Sequence, residues 1–291
     1  MRPSSSSERP RSGRRKGRDR PFFGLPGRQD ELVGRVAAVN PRTVVVVNAG
    51  SIVDLPWSDD VAAVLQCWFG GEEMAAAVAD VLVGAAEPGG RLPATVPMRI
   101  EHNPSYDNFP GENGELRYGE GLFMGYRGYD RRAIAPRFPF GHGLGYTAFE
   151  LGAPTVSSAT FRPGDTLTVS VPVTNCGERD GAAVVQCYVA PQSSRLARPP
   201  KELKAFAKLR LEPGETRQVE LVLDDRSFAY WDPGQADWDE VSGRLVSFLG
   251  PREQQQRRAA GWQVDPGSYD LLIGRSSRDI AAQVGVEVVG E

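Results

Sequence analysis

The feature that most constrains this chain is a change in the spacing of its apolar residues near residue 150. Ahead of that point, residues 43–48 (TVVVVN) form an unbroken, mostly β-branched run, which is typical of a parallel strand covered on both faces. Beyond it, short segments alternate apolar and polar residues between Gly- and Pro-containing turns, a pattern that indicates antiparallel strands. The sequence therefore predicts an α/β domain over residues 21–150 and an all-β domain over residues 151–291.

The α/β half shows two helices and two strands. Apolar residues recur at helical spacing over residues 32–37, and Asn40, which precedes a proline, should end that helix. A second strand is predicted over residues 62–69, and a second helix over about 72–83 with Gly84 as its C-terminal stop. This order implies a parallel sheet with helices on its faces. Two strands are too few for a complete sheet of this type, so we expect the domain to be incomplete.

The all-β half contains seven predicted strands with turns between them. They span residues 166–173, 182–190, 204–211, 216–223, 228–231, 269–274 and 281–289. Seven short strands at this spacing favour an antiparallel β-sandwich. Residues 234–261 interrupt the pattern with a long polar stretch, which we interpret as a surface insertion.

Residues 1–20 differ from the rest of the chain in composition. They hold eight Arg or Lys residues against two acids, and their only apolar residue is Met1. Such a segment buries too little surface to offset its ordering entropy, so we expect a disordered tail. A nucleic-acid-binding arm has the same composition, but no further basic stretch of this density follows, which favours a solvated tail.

The composition of the whole chain argues against several classes of function. The net charge is −3, with 40% hydrophobic and 24% charged residues, which gives no general attraction to nucleic acid or anionic membranes. No apolar run reaches the ~18 residues of a membrane span, and the basic N-terminus lacks the apolar core of a signal peptide. We therefore expect a soluble, cytoplasmic protein without nucleic-acid or membrane partners.

The cysteines and histidines do not form a pattern of metal ligands. The chain has three cysteines, Cys67, Cys176 and Cys187, and two histidines, His102 and His142. Cys67 and Cys187 lie in apolar runs, where a thiol usually packs as a small hydrophobic group. We expect neither a metal site nor a cofactor. For His142, which lies between glycines, we expect a structural hydrogen bond at a tight turn.

Long motifs in both halves resemble one known family. Residues 40–57 (NPRTVVVVNAGSIVDLPW), 67–97 (CWFGGEEMAAAVADVLVGAAEPGGRLPATVP) and 117–150 (RYGEGLFMGYRGYDRRAIAPRFPFGHGLGYTAFE) resemble the second domain of glycoside hydrolase family 3. Residues 174–177 (TNCG), 202–206 (ELKAF) and 274–279 (GRSSRD) resemble the fibronectin type III-like domain of that family. The resemblance covers about residues 17–291 apart from the insertion. It implies part of an α/β sandwich domain followed by a fibronectin type III-like β-sandwich.

The resemblance also implies an activity, that of a β-glucosidase or related exo-glycosidase. Such retaining enzymes use one carboxylate as nucleophile and one carboxylic acid as general acid/base. In the family the nucleophilic Asp lies in an N-terminal (β/α)₈ barrel of ~250 residues, for which we find no counterpart here. We therefore expect a fragment that is inactive alone, whose parent enzyme acts on a β-linked glucoside or oligosaccharide.

The general acid/base of β-glucosidase-type members is a Glu in a Glu-Gly-x-Asp-Arg motif. This chain matches the motif at Gly17, Asp19 and Arg20, but Lys16 occupies the acid position. A lysine stays protonated at neutral pH and replaces neither the acid nor the base. The catalytic residues are therefore unknown from the sequence. The simplest interpretation is that the segment ahead of Gly17 lies outside the family, and the alternative is a variant without the acid.

Other polar and aromatic residues are weaker candidates for a site. For Glu72 and Glu73 we expect charges in the first turn of a helix rather than catalysis. The Gly-rich region between residues 101 and 130 contains the candidate carboxylates Glu112, Glu115, Glu120 and Asp130 and the tyrosines Tyr106, Tyr118, Tyr126 and Tyr129. These tyrosines either stack on a sugar or pack the loops. In the all-β half, core or interface packing is expected for Tyr188, Tyr230, Trp231 and Trp262.

Three hypotheses for the function remain open from the sequence. The first is an enzyme fragment that once docked on a barrel. The second is a non-catalytic module that binds carbohydrate or protein, which an exposed row of aromatic residues would favour. The third is a half-enzyme that works together with a separately encoded barrel domain.

Overall fold

The computed structural model describes residues 22–234 and 260–290. The predicted basic tail, the motif residues Lys16, Gly17, Asp19 and Arg20, and most of the predicted insertion lie outside these ranges. The chain divides into two compact units, of which the first ends at Phe140 and the second begins at Gly141. The sequence pattern had indicated a border ten residues later, at residue 150, where the alternation of the strands begins.

The first unit combines helices with a short parallel sheet. Its elements are α1 (Gln29–Val39), β1 (Val44–Val47), β2 (Ala63–Gln66), α2 (Met74–Val83), a 3₁₀ turn (Ile100–His102) and α3 (Tyr126–Arg131). Strands β1 and β2 pair in parallel, from Val44 opposite Ala63 to Val47 opposite Gln66. The predicted parallel pair of strands and the two predicted helices are thus confirmed.

The helix ends follow the local sequence closely. Asn40 caps the C-terminus of α1 in an extended conformation, as expected for a residue before proline. Gly84 ends α2 in the left-handed region at φ 76°, which glycine adopts without strain. Helix α2 starts at Met74, so Glu72 and Glu73 precede it instead of lying in its first turn.

A small apolar core holds the first unit together. Its buried members are Val47, Val53, Leu55, Trp57 and Val96. The expectation that residues 43–48 are covered on both faces is wrong for the described structure. Val44 and Val46 are exposed, because side chains alternate across a strand and only Val45 and Val47 contact the core.

The second unit is a mainly antiparallel β-sandwich with one parallel pair of strands, which agrees with the predicted sandwich architecture. Its strands are β3 (Phe149–Leu151), β4 (Thr155–Val156), β5 (Thr160–Phe161), β6 (Leu167–Asn175), β7 (Gly181–Pro191), β8 (Glu202–Leu211), β9 (Thr216–Leu223), β10 (Tyr230–Asp232), β11 (Gly261–Gln263), β12 (Gly267–Gly274) and β13 (Ile280–Val288), with a short helix α4 (Asp225–Phe228). One sheet has the order β5-β13-β12-β7-β8, and in the other β6 pairs with β3, β4 and β9. Strands β10 and β11 form a separate antiparallel pair.

The sandwich closes a large apolar core. Strand β6 alternates buried and partly buried residues along its whole length, so Val169, Val171 and Val173 all face inwards and are fully buried. Phe228 packs between Phe161 and Tyr269, with ring centroids 4.4 and 5.4 Å away. This unit therefore has an apolar core of its own, built from residues between Phe149 and Val288.

One predicted strand is partly a helical turn. The sequence pattern predicts a strand over residues 228–231. In the structure Phe228 is the last residue of α4, and the strand β10 begins only at Tyr230. The turn is fixed by a capping box in which Asp224 accepts a bond from the Ser227 backbone N–H and its own N–H donates to the Ser227 hydroxyl. No helix in the described part of the chain is both long and apolar enough to cross a membrane.

Candidate functional site

The Gly-rich loop between the 3₁₀ turn and α3 carries three of the candidate carboxylates, Glu112, Glu115 and Glu120. Glu112 and Glu115 exchange two backbone hydrogen bonds of 3.0 and 2.9 Å, which close a tight turn at the loop tip. Both side chains are exposed, and that of Glu115 lies 3.7 Å from the Arg117 guanidinium. Glu120 accepts a hydrogen bond of 2.6 Å from the Asn108 amide. These groups can accept hydrogen bonds from hydroxyl groups of a ligand.

The four tyrosines of this region divide into two pairs. Tyr126 and Tyr129 are buried, Tyr126 stacks on Phe140 with ring centroids 4.8 Å apart, and burial raises the pKa of Tyr129 to about 12. These two residues pack the fold. Tyr106 and Tyr118 are exposed, Tyr118 by 75%, so only these two rings present a face on which a sugar can stack.

Much of the apolar surface of the first unit is open. Helix α2 has the sequence MAAAVADVLV and contains no buried residue. Val83 at its end is 78% exposed, and Val39 at the end of α1 is 84% exposed. Further exposed apolar side chains in this unit are Leu32, Phe69, Leu82, Phe109 and Met124. Extended apolar surface of this kind is typical of a contact with another polypeptide segment.

His142 lies near the start of the second unit, next to a glycine turn. It follows Gly141, which adopts φ 81° and whose carbonyl accepts a hydrogen bond of 3.1 Å from the buried Gln186 amide. The pKa of the Asp279 carboxyl is lowered, first by hydrogen bonds from Arg275 and to a smaller extent by His142. His142 thus contributes to the electrostatics of a loop, and its structural hydrogen bond stays a prediction.

The aromatic residues of the sandwich also divide into two kinds. Tyr188 and Tyr230 are buried as expected, and the Tyr188 hydroxyl donates to the side-chain amide oxygen Oε1 of Gln186 at 2.6 Å. Trp231 and Trp262 are 45% and 49% exposed, so of the two predicted roles, packing in the core is wrong for them and packing at an interface stays a prediction. The exposure of Trp231 follows from the alternation of side chains along β10, because Trp231 lies between two buried residues.

Potential ligands of a metal are scattered in the described ranges. Within residues 22–234 and 260–290, no three His, Cys, Asp or Glu side chains are grouped to hold a metal ion. Cys187 is buried in the sandwich core, and burial raises its pKa to about 12. Cys67 is partly buried, and burial raises its pKa as well.

Two sequence profiles cover most of the chain. The glycosyl hydrolase family 3 C-terminal domain matches residues 5–146, and the fibronectin type III-like domain matches residues 183–277. A β-glucosidase from Rhizobium radiobacter is 43% identical over 94% of this chain, and thermostable β-glucosidase B from Acetivibrio thermocellus is 42% identical over the same share. The chain belongs to glycoside hydrolase family 3.

Solved structures of family 3 enzymes agree with this assignment. A β-glucosidase from Bifidobacterium adolescentis superposes on 94% of the chain with a TM-score of 0.80 at 38% identity. A β-glucosidase from Kluyveromyces marxianus, solved in complex with glucose, also reaches a TM-score of 0.80 over 94% of the chain, at 35% identity. The present chain spans 37% and 30% of those two proteins.

The matched region has two consequences for the sequence interpretation. The chain spans about a third of its relatives, 31% of the Rhizobium radiobacter enzyme and 33% of the Acetivibrio thermocellus enzyme. The family 3 profile begins at residue 5, so the segment ahead of Gly17, which was interpreted from its composition as lying outside the family, falls largely within the match. Lys16 therefore stands inside the family 3 region.

Proposed function

We propose that this chain forms the C-terminal part of a β-glucosidase that hydrolyses β-linked glucosides with retention of configuration. The observation that carries the proposal is the extent of the match, since two relatives named β-glucosidases align with 94% of the chain at 42–43% identity. The aligned region includes both units and runs across the border between them. A module recruited for binding alone would need to share only one of the two domains.

The nucleophile belongs to a barrel domain outside these 291 residues. The family resemblance puts the nucleophilic Asp in a barrel, and the relatives carry about two thirds of their length outside the matched region. The open apolar surface of the first unit supports docking of such a domain, because helix α2 is apolar and has no buried residue. Apolar surface gains ~25 cal/mol per Å² when it is buried, so a docked barrel would stabilise the first unit.

The motif at Gly17, Asp19 and Arg20 is the proposed link between this chain and the reaction. By resemblance, it brings the general acid/base to the leaving-group oxygen. The acid of that motif is replaced by Lys16, and general acid/base catalysis contributes ~10²–10⁴-fold to such reactions. We therefore expect the chain to be inactive alone and weakly active even with a barrel.

A fusion protein tests whether this chain completes the enzyme. The barrel-containing part of the Rhizobium radiobacter β-glucosidase is joined to residues 16–291 carrying Lys16→Glu, and hydrolysis of nitrophenyl β-glucoside is measured. The fusion should turn over the substrate, whereas the isolated chain and the isolated barrel part should both match a buffer blank. Turnover by the isolated chain, or a folded fusion no more active than the barrel part, would overturn the proposal.

A further inference from the structure

Two tryptophans form an exposed corner on the second unit. Trp231 on β10 lies directly opposite Trp262 on β11, with ring centroids 5.5 Å apart and ring planes at 71°. About half of each side chain is exposed, and neither belongs to the apolar core of the sandwich. Tryptophan is the largest apolar side chain, so a half-exposed pair held at the surface outside the apolar core indicates a contact site.

The strand behind this corner is rigidly anchored. Tyr230 and Asp232 flank Trp231 and are both buried. The Arg195 guanidinium donates hydrogen bonds to both, at 2.8 Å to the Tyr230 hydroxyl and 2.7 Å to the Asp232 carboxylate. The Tyr230 hydroxyl in turn donates to Asp265 at 3.0 Å. The indole rings are therefore in place before a ligand arrives, which lowers the entropy cost of binding.

Arg226 borders the same corner. Its guanidinium carbon lies 3.3 Å from the centroid of the Trp262 ring, and the capped turn of α4 fixes its backbone. Within the described ranges, the Trp262 ring is the only partner of this guanidinium, and neither indole N–H donates a hydrogen bond. The Arg226 guanidinium thus covers one face of the Trp262 ring and presents unused N–H donors beside the two indoles.

We propose that the corner formed by Trp231, Trp262 and Arg226 binds one pyranose unit of a neutral oligosaccharide. A pyranose combines a flat face of C–H groups, which packs on an indole, with hydroxyl groups at its edge, which accept hydrogen bonds from guanidinium and indole N–H groups. Two rings that meet at 71° contact such a unit from two sides.

A protein partner fits the corner less well. A stable protein interface buries ~800 Å² on each partner, which is several times the area that two half-exposed indoles offer. The inference rests on the proposed function in one respect, the identity of the sugar, which we take to be β-linked glucose. The geometry of the corner does not depend on that function.

Titration of the full chain with cellotetraose tests the proposal, by calorimetry and by tryptophan fluorescence. The wild-type chain should bind the tetrasaccharide, and Trp231→Ala or Trp262→Ala should each weaken binding at least tenfold. Phe206→Ala is the matched control, because Phe206 is an exposed aromatic residue of the same unit on β8, and it should leave the affinity unchanged. Arg226→Ala should weaken binding severalfold, and Arg226→Lys should retain part of it.

Folding of the variants is checked by circular dichroism and thermal unfolding. If an alanine variant does not fold, Trp231→Tyr and Trp262→Phe keep an aromatic face and should still bind. Absence of binding by the wild-type chain, or equal binding by the folded Trp231→Ala/Trp262→Ala double variant, overturns the inference. The binding experiment does not depend on catalysis. If the chain binds cellotetraose but the fusion protein is inactive, only the proposed function is contradicted. If the fusion protein is active but the chain does not bind cellotetraose, only the inference is contradicted.

Discussion

Trp57 donates its indole N–H to the Asp30 carboxylate, 2.8 Å away, and this bond ties helix α1 to the segment between β1 and β2. Trp57 is a buried member of the small core of the first unit. The other carboxylate oxygen of Asp30 accepts a hydrogen bond from the Leu25 backbone. One carboxylate therefore holds the start of α1 and the chain ahead of it against that core.

Asp30→Ala should lower the free energy of unfolding of the first unit by about 1–3 kcal/mol, because it leaves the buried indole N–H of Trp57 without an acceptor. Asp30→Asn keeps an acceptor oxygen and should cost less. Urea unfolding followed by tryptophan fluorescence measures the difference. Asp60→Ala removes a nearby exposed carboxylate and serves as control. Equal stability of the Asp30→Ala and Asp60→Ala variants would contradict the role of Asp30.

The Arg275–Asp279 pair predicts a pH dependence in the second unit. Two hydrogen bonds of 2.8 and 3.1 Å from the Arg275 guanidinium lower the pKa of the Asp279 carboxyl. The stabilisation is therefore present above the ordinary pKa of Asp and is lost as the pH falls through the lowered value. Both side chains are about half exposed, so solvent limits the effect to under ~1 kcal/mol. An NMR titration of Asp279 should show a higher midpoint in Arg275→Gln, and an unchanged midpoint would contradict the pairing.

The three cysteines should differ in their reactivity towards a thiol-modifying reagent. Cys176 is exposed, Cys67 is partly buried and Cys187 is buried. The thiolate is the reactive form, and burial raises the pKa of Cys187 to about 12. In the native chain at pH 8, Cys176 should react first, Cys67 later, and Cys187 only after unfolding, as followed by mass spectrometry of peptides. Early modification of Cys187 would show that the sandwich core opens readily.

The open apolar surface of the first unit should cause self-association. Val39 and Val83 end helices α1 and α2 with most of their surface exposed. The double variant Val39→Lys/Val83→Lys should remain monomeric at higher protein concentrations than wild type, as measured by light scattering. Val222→Lys, at an exposed position of the sandwich, should change nothing. If the two variants behave alike, net charge rather than this surface controls association.

Much of the fold follows from periodicity alone. The parallel pair β1–β2 and the long strands of the sandwich were predictable because runs of four or more residues carry a clear pattern. Strands β4 and β5 have two residues each, which is too short for any period to appear. Strand β11 pairs with β10 across the polar stretch, and such non-local pairing leaves no signal in the nearby sequence.

The candidate sites were less predictable than the fold. The sequence does not show that Tyr118 is exposed and Tyr129 is buried. The exposure of a side chain in a Gly-rich region depends on contacts with residues that are distant in the chain. Trp231 and Trp262 were expected to pack, since large aromatic residues usually do. Their exposure follows from the inward orientation of Tyr230 and Asp232, which Arg195 enforces. The motif at Lys16 was recognised only through the family resemblance.

Two fusions that differ only at residue 16 test the central claim most directly. Both join the part of the Rhizobium radiobacter β-glucosidase that lies outside the matched region to residues 16–291, one with Lys16 and one with Lys16→Glu, and kcat/KM is measured on nitrophenyl β-glucoside. If this chain completes a family 3 active site through the motif at Gly17, Asp19 and Arg20, the glutamate should raise kcat/KM by ~10²–10⁴-fold. Equal kcat/KM for the two folded fusions would contradict that account, because the acid would then come from elsewhere.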